Sequence, residues 1–414
     1  MRERIIEHID HPAELEQLYR SDTTRFKSEF NSIYTLIEDH LVAKVWHERL
    51  KASESSISWG FKNEWLFVVL IIFLAGLIAK LPHLVSLYEE FFYSRNIGFV
   101  IFPLLTTYIA WRSGWYWKGF IISMVTFLIS AIFINFLPDN PGSDTLILAS
   151  IHLPLFLWSV FGFSYLKDQF KNHDQRLGFL RFNGDLAVMM AILAISGGIL
   201  IALTVGMFSL IEVDIENVFE NYIVFWALPA IPILATYLIK TNPRIVNMVS
   251  PVIAKVFTPI VLITLVVYLV AVLYTGKDPY NDREFLLIFN LILIGVMAII
   301  LFSVLEASKN DGSRLETGLL LSLSVVAILV NSIALSAIFY RVFEFGITPN
   351  RLSVMGGNVL ILLNLVIVTA RLYLSVIKEE HLQSVGHSIS RFLPIYSLWT
   401  IIVVFLFPFL FGFK

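Results

Sequence analysis

Apolar residues along this chain gather in blocks about as long as a bilayer is thick, separated by short polar connections. A helix needs roughly twenty mostly apolar residues to cross ~30 Å of hydrocarbon. By that measure the pattern predicts about eleven transmembrane helices: Trp65–Leu81, Ile97–Trp111, Gly119–Phe136, Thr145–Tyr165, Leu186–Leu210, Tyr222–Ile239, Val252–Tyr274, Phe285–Leu305, Gly318–Tyr340, Leu352–Tyr373 and Phe392–Phe413. Residues 1 to about 60 follow a different rule. There Phe26, Phe30, Ile33, Ile37, Leu41 and Val45 recur at helical spacing, with Glu29, Glu38, Lys44 and Arg49 elsewhere on the wheel. Helix starts are expected at Asp10-His11-Pro12 and at Ser21-Asp22, and Ser53 to Ser58 reads as a linker. The fold expected is an all-α polytopic membrane protein: residues 1–60 an amphipathic cytoplasmic segment, residues 61–414 the multipass helical domain.

Composition narrows the function classes. Apolar residues make up 57% and charged residues 15% of the chain, against about a quarter charged in soluble proteins. A formal net charge of −2 argues against nucleic-acid binding, which needs a basic face. With no cysteine, disulfides, thiolate metal sites and cysteine nucleophiles are excluded. The run Met1–Glu7 lacks the apolar core of a cleaved leader, so none is expected.

Charge also orients the chain. With the N-terminus inside, the inner connections hold Arg112, Lys118, Lys167, Lys171, Arg176, Arg181, Lys240, Arg244, Lys255, Lys309, Arg314, Arg371, Lys378 and Arg391. The outer ones keep Lys80, Arg95, Lys277, Arg283, Arg341, Arg351 and Lys414, with the acidic connection Glu212 to Glu220. That is the asymmetry of the positive-inside rule, and it puts the C-terminus outside. Trp111 to Lys118 reads as an interfacial aromatic belt, and membrane lipids are the first partners expected.

Candidate chemistry is sparse. Asp144, Asp185, Glu306 and Glu316 all fall at span ends, which weakens ion-coupled transport and acid–base catalysis together. Polar groups inside spans are amides and one imidazole: Asn290, Asn331, Asn358, Asn364 and His152. An amide in hydrocarbon needs a partner, so these side chains line a polar crevice or fix packing between helices. His152 is either a ligand-sensing imidazole beside the Pro154 kink or a neutral ring bonded to a nearby hydroxyl. The stripe Ala187, Ala191, Ala194, Gly198, Ala202 and Gly206 predicts a buried central helix. Pro229, Pro232 and Pro259 break mid-membrane hydrogen bonds, as in transporter sites or simple kinks. Lys255 and Arg371 are expected to snorkel.

At the outer interface Arg341, Glu344, Thr348, Asn350 and Arg351 form a second candidate cluster. Thr348 is placed to cap the next helix with Pro349 at its first position. Arg351 then opposes that helix's dipole, and Glu344 is its expected partner. Asp278 to Asp282 offers oxygens for a divalent cation but lacks the length and glycine of an EF-hand. The pairs His8/His11 and His40/His47 lack zinc-protease spacing. No catalytic residue, metal or cofactor is expected.

From about Pro243 onward the chain resembles a large bacterial family of multipass membrane proteins whose function is uncharacterised. The resemblance is carried by Pro251 through Tyr274-Thr275-Gly276-Lys277 and by the box Gly346-Ile347-Thr348-Pro349-Asn350-Arg351 before a late span. It implies a bacterial cytoplasmic membrane and brings no substrate or site residue. Three functions stay open: a carrier or flippase for a small or amphipathic solute; a non-catalytic sensor or assembly factor docking a protein through residues 26–45; and an intramembrane enzyme on lipid-linked substrates, using Arg341, Glu344, Asn350 and Arg351.

Overall fold

A computed structural model describes residues 1–53, 60–140, 142–211, 213–275, 283–307, 313–378 and 382–414. Residues 54–58 of the expected linker, Glu212 and the Asp278–Asp282 loop lie outside the described residues. The chain divides into two compact units, Met1–Gly60 and Phe61–Lys414.

The first unit contains α1 (Arg2–Glu7), α2 (Pro12–Ser21), α3 (Thr23–Ile37) and α4 (Leu41–Ser53), with α3 touching the other three. Pro12 opens α2, where its missing N–H costs nothing. The Asp22 carboxylate caps α3 by accepting the Arg25 N–H at 3.0 Å. The single helix expected over 26–45 is broken at residues 38–40. The break changes which residues face inward: Phe26, Phe30, Ile33 and Ile37 are buried with Trp46 and Leu50, while Leu41 and Val45 are exposed. Most of the stripe expected to meet a partner therefore closes the core of its own unit.

The second unit contains α5 (Glu64–Ala79), α6 (Glu89–Arg112), α7 (Trp117–Phe136), α8 (Asp144–Leu166), α9 (His173–Ser209), α10 (Val224–Thr241), α11 (Pro243–Thr275), α12 (Arg283–Ala307), α13 (Arg314–Phe345), α14 (Pro349–Lys378) and α15 (Gln383–Ile401). Beyond α15 the helix runs on through a π turn, Ile402–Leu406, to Leu410. There is no strand among the described residues. Among the described residues, eight helices are long and apolar enough to cross a membrane, which makes this a multi-pass membrane protein. Each of the eleven stretches anticipated from hydropathy falls on one helix, though α5 is only 16 residues long.

Packing is uneven around the bundle. α13 lies along α14, with Ser324, Ala327, Asn331 and Ala334 all fully buried, so small side chains allow the close approach. α5 packs on α10 and α6 on α8. α9 departs from expectation. Ala187, Ala191, Ala194, Gly198, Ala202 and Gly206 are exposed, beside exposed Ile195, Leu200, Leu203 and Met207. A small-residue stripe permits close packing without compelling it, because lipid solvates alanine and leucine faces alike.

A candidate ligand cavity in the helix bundle

Four helices each turn one stripe toward a common space. α8 supplies Leu148, His152, Leu155 and Ser159; α12 supplies Asn290, Ile294, Met297 and Leu301; α15 supplies Ile389, Leu393, Tyr396 and Thr400. All three sets run at spacings of four, three and four, one face of an α-helix. α14 completes the wall with Gly357, Asn358, Ile361, Asn364 and Val368. The cavity measures about 440 Å³ and is partly open. Among the described residues lining it, none is Asp, Glu, Lys or Arg.

The polar groups of the wall are held in place by named bonds. Asn358 Nδ2 donates to Asn290 Oδ1 at 2.6 Å, joining α14 to α12. Asn364 Nδ2 donates to the Tyr396 hydroxyl at 3.0 Å, joining α14 to α15. His152 Nδ1 donates to the Leu148 carbonyl at 2.8 Å, one turn back, and not to the hydroxyl expected. With Nδ1 so engaged, a neutral ring leaves Nε2 as an acceptor. Asn331 stands behind the wall: fully buried, it donates to the Asn358 carbonyl at 3.3 Å and does not line the cavity. Asn364 Oδ1 and Trp399 Nε1 are buried without a hydrogen-bond partner.

The backbone around this space is irregular. Pro154 in α8 and Pro394 in α15 each remove one helical N–H, leaving the carbonyl four residues earlier unpaired. The π turn Ile402–Leu406 begins just beyond Thr400, and such turns recur at functional sites. Prolines of the sixth and seventh spans were read as transporter-site breaks or as simple kinks; among the described residues, neither α10 nor α11 lines this cavity. Sequence reading also missed Tyr396 and Trp399. Aromatic residues are common in membrane spans, and nothing in their spacing set these two apart.

The residues expected at the outer face are not joined into one hydrogen-bonded cluster. Thr348 Oγ1 accepts the Arg351 N–H at 3.3 Å, so it caps α14 as expected. Arg351 Nη1, however, donates to the carbonyls of Phe345 and Gly346, both at 2.8 Å. The negative pole of α13 thereby answers the cation. Glu344, the expected partner, is exposed and does not pair with Arg351, whose side chain is not bonded to those of Arg341 or Asn350 either.

Charged groups are paired elsewhere in the bundle. Lys255, expected to snorkel, meets Glu316 at 2.9 Å in a second cavity of about 340 Å³, beside a Thr258–Ser303 hydroxyl pair at 2.6 Å. Fully buried Glu64 pairs with Arg112 and accepts the Tyr108 hydroxyl at 2.7 Å and the Phe61 N–H at 2.9 Å. Arg112 continues to the Lys240 carbonyl at 2.9 Å. Buried Arg95 donates to the Ile134 and Leu137 carbonyls at 2.8 and 3.0 Å, satisfying the end of α7, and pairs with Asp139 at 3.0 Å.

Compared with known proteins, the chain matches no family model, no curated protein and no solved structure.

Proposed function

We propose that this chain is a carrier or flippase-like bundle that takes an amphipathic solute into the cavity between α8, α12, α14 and α15. One observation carries the proposal: His152, Asn290, Asn358 and Asn364, from three separate helices, meet in one space whose remaining wall is mainly apolar. Ligand sites are usually such spaces, mostly apolar with a few convergent polar groups. Proline-interrupted helices on two sides supply backbone that can shift as a solute passes. In this proposal the chain belongs to the bacterial family with the Gly-x-Thr-Pro-Asn-Arg box and crosses the inner membrane eleven times. Its N-terminus lies in the cytoplasm and its C-terminus outside.

The activity is tested by reconstituting the full chain into vesicles with a fluorescent phospholipid and quenching the outer leaflet. Protein-dependent loss of the protected inner-leaflet signal is expected, and Gly357→Trp should abolish it by filling the cavity. Equal protection with and without protein would overturn the flippase form. Orientation is tested separately. The chain has no cysteine, so Lys171→Cys reports its own side of the membrane. Reaction with an impermeant maleimide added outside intact cells would reverse the topology.

A further inference from the structure

The cavity's wall is uncharged among the described residues, and this restricts what it can hold. We infer that its occupant is an uncharged amphiphile: a hydrocarbon chain bearing a hydroxyl or amide head, without phosphate, carboxylate or ammonium. The inference rests on the proposal that the cavity is a solute site and adds the chemical class of the solute.

A charged head entering this space loses its water, and no described lining side chain carries the opposite charge. Such a transfer is strongly unfavourable unless the ion is paired. Neutral hydrogen-bonding heads meet the opposite situation. The described polar lining consists of amides, an imidazole, a phenol, two indoles and hydroxyls, all neutral or able to be so.

The unused hydrogen-bonding capacity points the same way. Asn358 and Asn290 engage one another, and Tyr396 engages Asn364. Among the described lining groups, the acceptors His152 Nε2 and Asn364 Oδ1 and the donor Trp399 Nε1 are without a partner. A hydroxyl or primary amide both donates and accepts, so it complements this set. A purely hydrocarbon occupant would leave all three unsatisfied, which is costly in a buried site. Asn364 is 1% exposed and lies close to the midpoint of α14. The head is therefore recognised deep in the bundle, with the chain along Ile294, Met297, Ile361 and Leu365.

The test uses the detergent-solubilised full chain and four probes with the same oleyl chain: glycerol monooleate, oleyl alcohol, oleyl sulfate and oleyl trimethylammonium. The last two keep their charge at any working pH. The neutral probes should bind at least about tenfold more tightly than either ion, the ratio expected when a buried polar set loses its partner. His152→Phe and, separately, Asn364→Leu should each erase most of that preference, with thermal melting confirming that the variants are folded. Equal or tighter binding of the sulfate or the ammonium would overturn the neutral class while leaving the cavity as a solute site. If Gly357→Trp leaves binding of all four probes unchanged, the cavity is not the site and both readings fall.

Discussion

The indole of Trp399 lies against the backbone of Gly356 so closely that a β-carbon at that glycine would overlap the ring. The next residue, Gly357, faces open space with nothing within 4 Å of where its β-carbon would stand. Two adjacent glycines of α14 therefore do different jobs. Gly356 makes room for an aromatic wall residue, and Gly357 keeps the cavity hollow. Gly356→Ala should force the indole to move and destabilise the protein by about 1–3 kcal/mol. Gly357→Ala should be neutral or stabilising by about 0.5–1 kcal/mol, because alanine is the better helix former. Thermal unfolding in one detergent compares them directly. Equal effects would show that Trp399 does not depend on Gly356.

The Asn358–Asn290 bond at 2.6 Å ties α14 to α12 across the cavity. Replacing either asparagine with leucine strands the other's amide among apolar groups. In a double-mutant cycle the pair should show coupling of about 0.5–2 kcal/mol, the range seen for amides between membrane helices. Strict additivity would mean that the two amides do not act together.

Glu64 and Arg112 should behave as a unit. Glu64→Leu leaves the Arg112 guanidinium without its carboxylate, at an expected cost of about 3–5 kcal/mol. Adding Arg112→Leu should recover part of that loss, since an apolar pair is tolerated better than half of an ion pair. A double variant less stable than Glu64→Leu alone would point to a separate role for Arg112, through its bond to the Lys240 carbonyl.

Arg351→Ala should cost about 1–2 kcal/mol by releasing the Phe345 and Gly346 carbonyls at the α13 end. Glu344→Ala should fall within about 0.5 kcal/mol of wild type, as ordinary surface changes do. If the two variants were equally destabilised, the carboxylate would matter to Arg351 after all.

In the first unit, Glu16 Oε2 lies 2.6 Å from Arg49 Nη1 and Oε1 accepts from Arg20 Nε at 2.8 Å. The bond from Arg49, then that from Arg20, holds the Glu16 carboxyl below its ordinary value. The folded state therefore binds this proton less readily than the unfolded state does. The resulting stabilisation is present above the unfolded carboxylate value and is lost as pH falls through the folded one. Hydrogen-exchange protection factors over residues 1–53 in the full chain, corrected for the intrinsic pH dependence of exchange, should fall on acidification, and Glu16→Gln should flatten that part of the profile. An unchanged pH dependence in the variant would remove Glu16 from the account.

Much of this molecule was open to reading before any coordinate. Hydrocarbon admits only helices and closed barrels, and only a helix needs an apolar block about twenty residues long, so blocks of that length announce a helical membrane protein. The same physics singles out His152, Asn290, Asn358 and Asn364, because a polar group among apolar neighbours needs a reason to be there. The Thr348 cap was legible too, since capping depends on residues a few positions apart.

What only the tertiary structure decided was which faces meet. Between membrane helices there is little hydrophobic gradient, because lipid tails are as apolar as leucine, so the sequence marks the buried face weakly. That is why the α9 small-residue stripe was expected inside and lies exposed. It is also why α8 and α15, distant in sequence, joined α12 and α14 around the cavity unannounced. In the first unit, where water does mark the faces, the stripe was plain, and only the break at residues 38–40 went unseen. The same distinction accounts for Arg351: its own helix opposes its charge, but the end of α13, brought beside it by the turn, supplies the carbonyls that hold it.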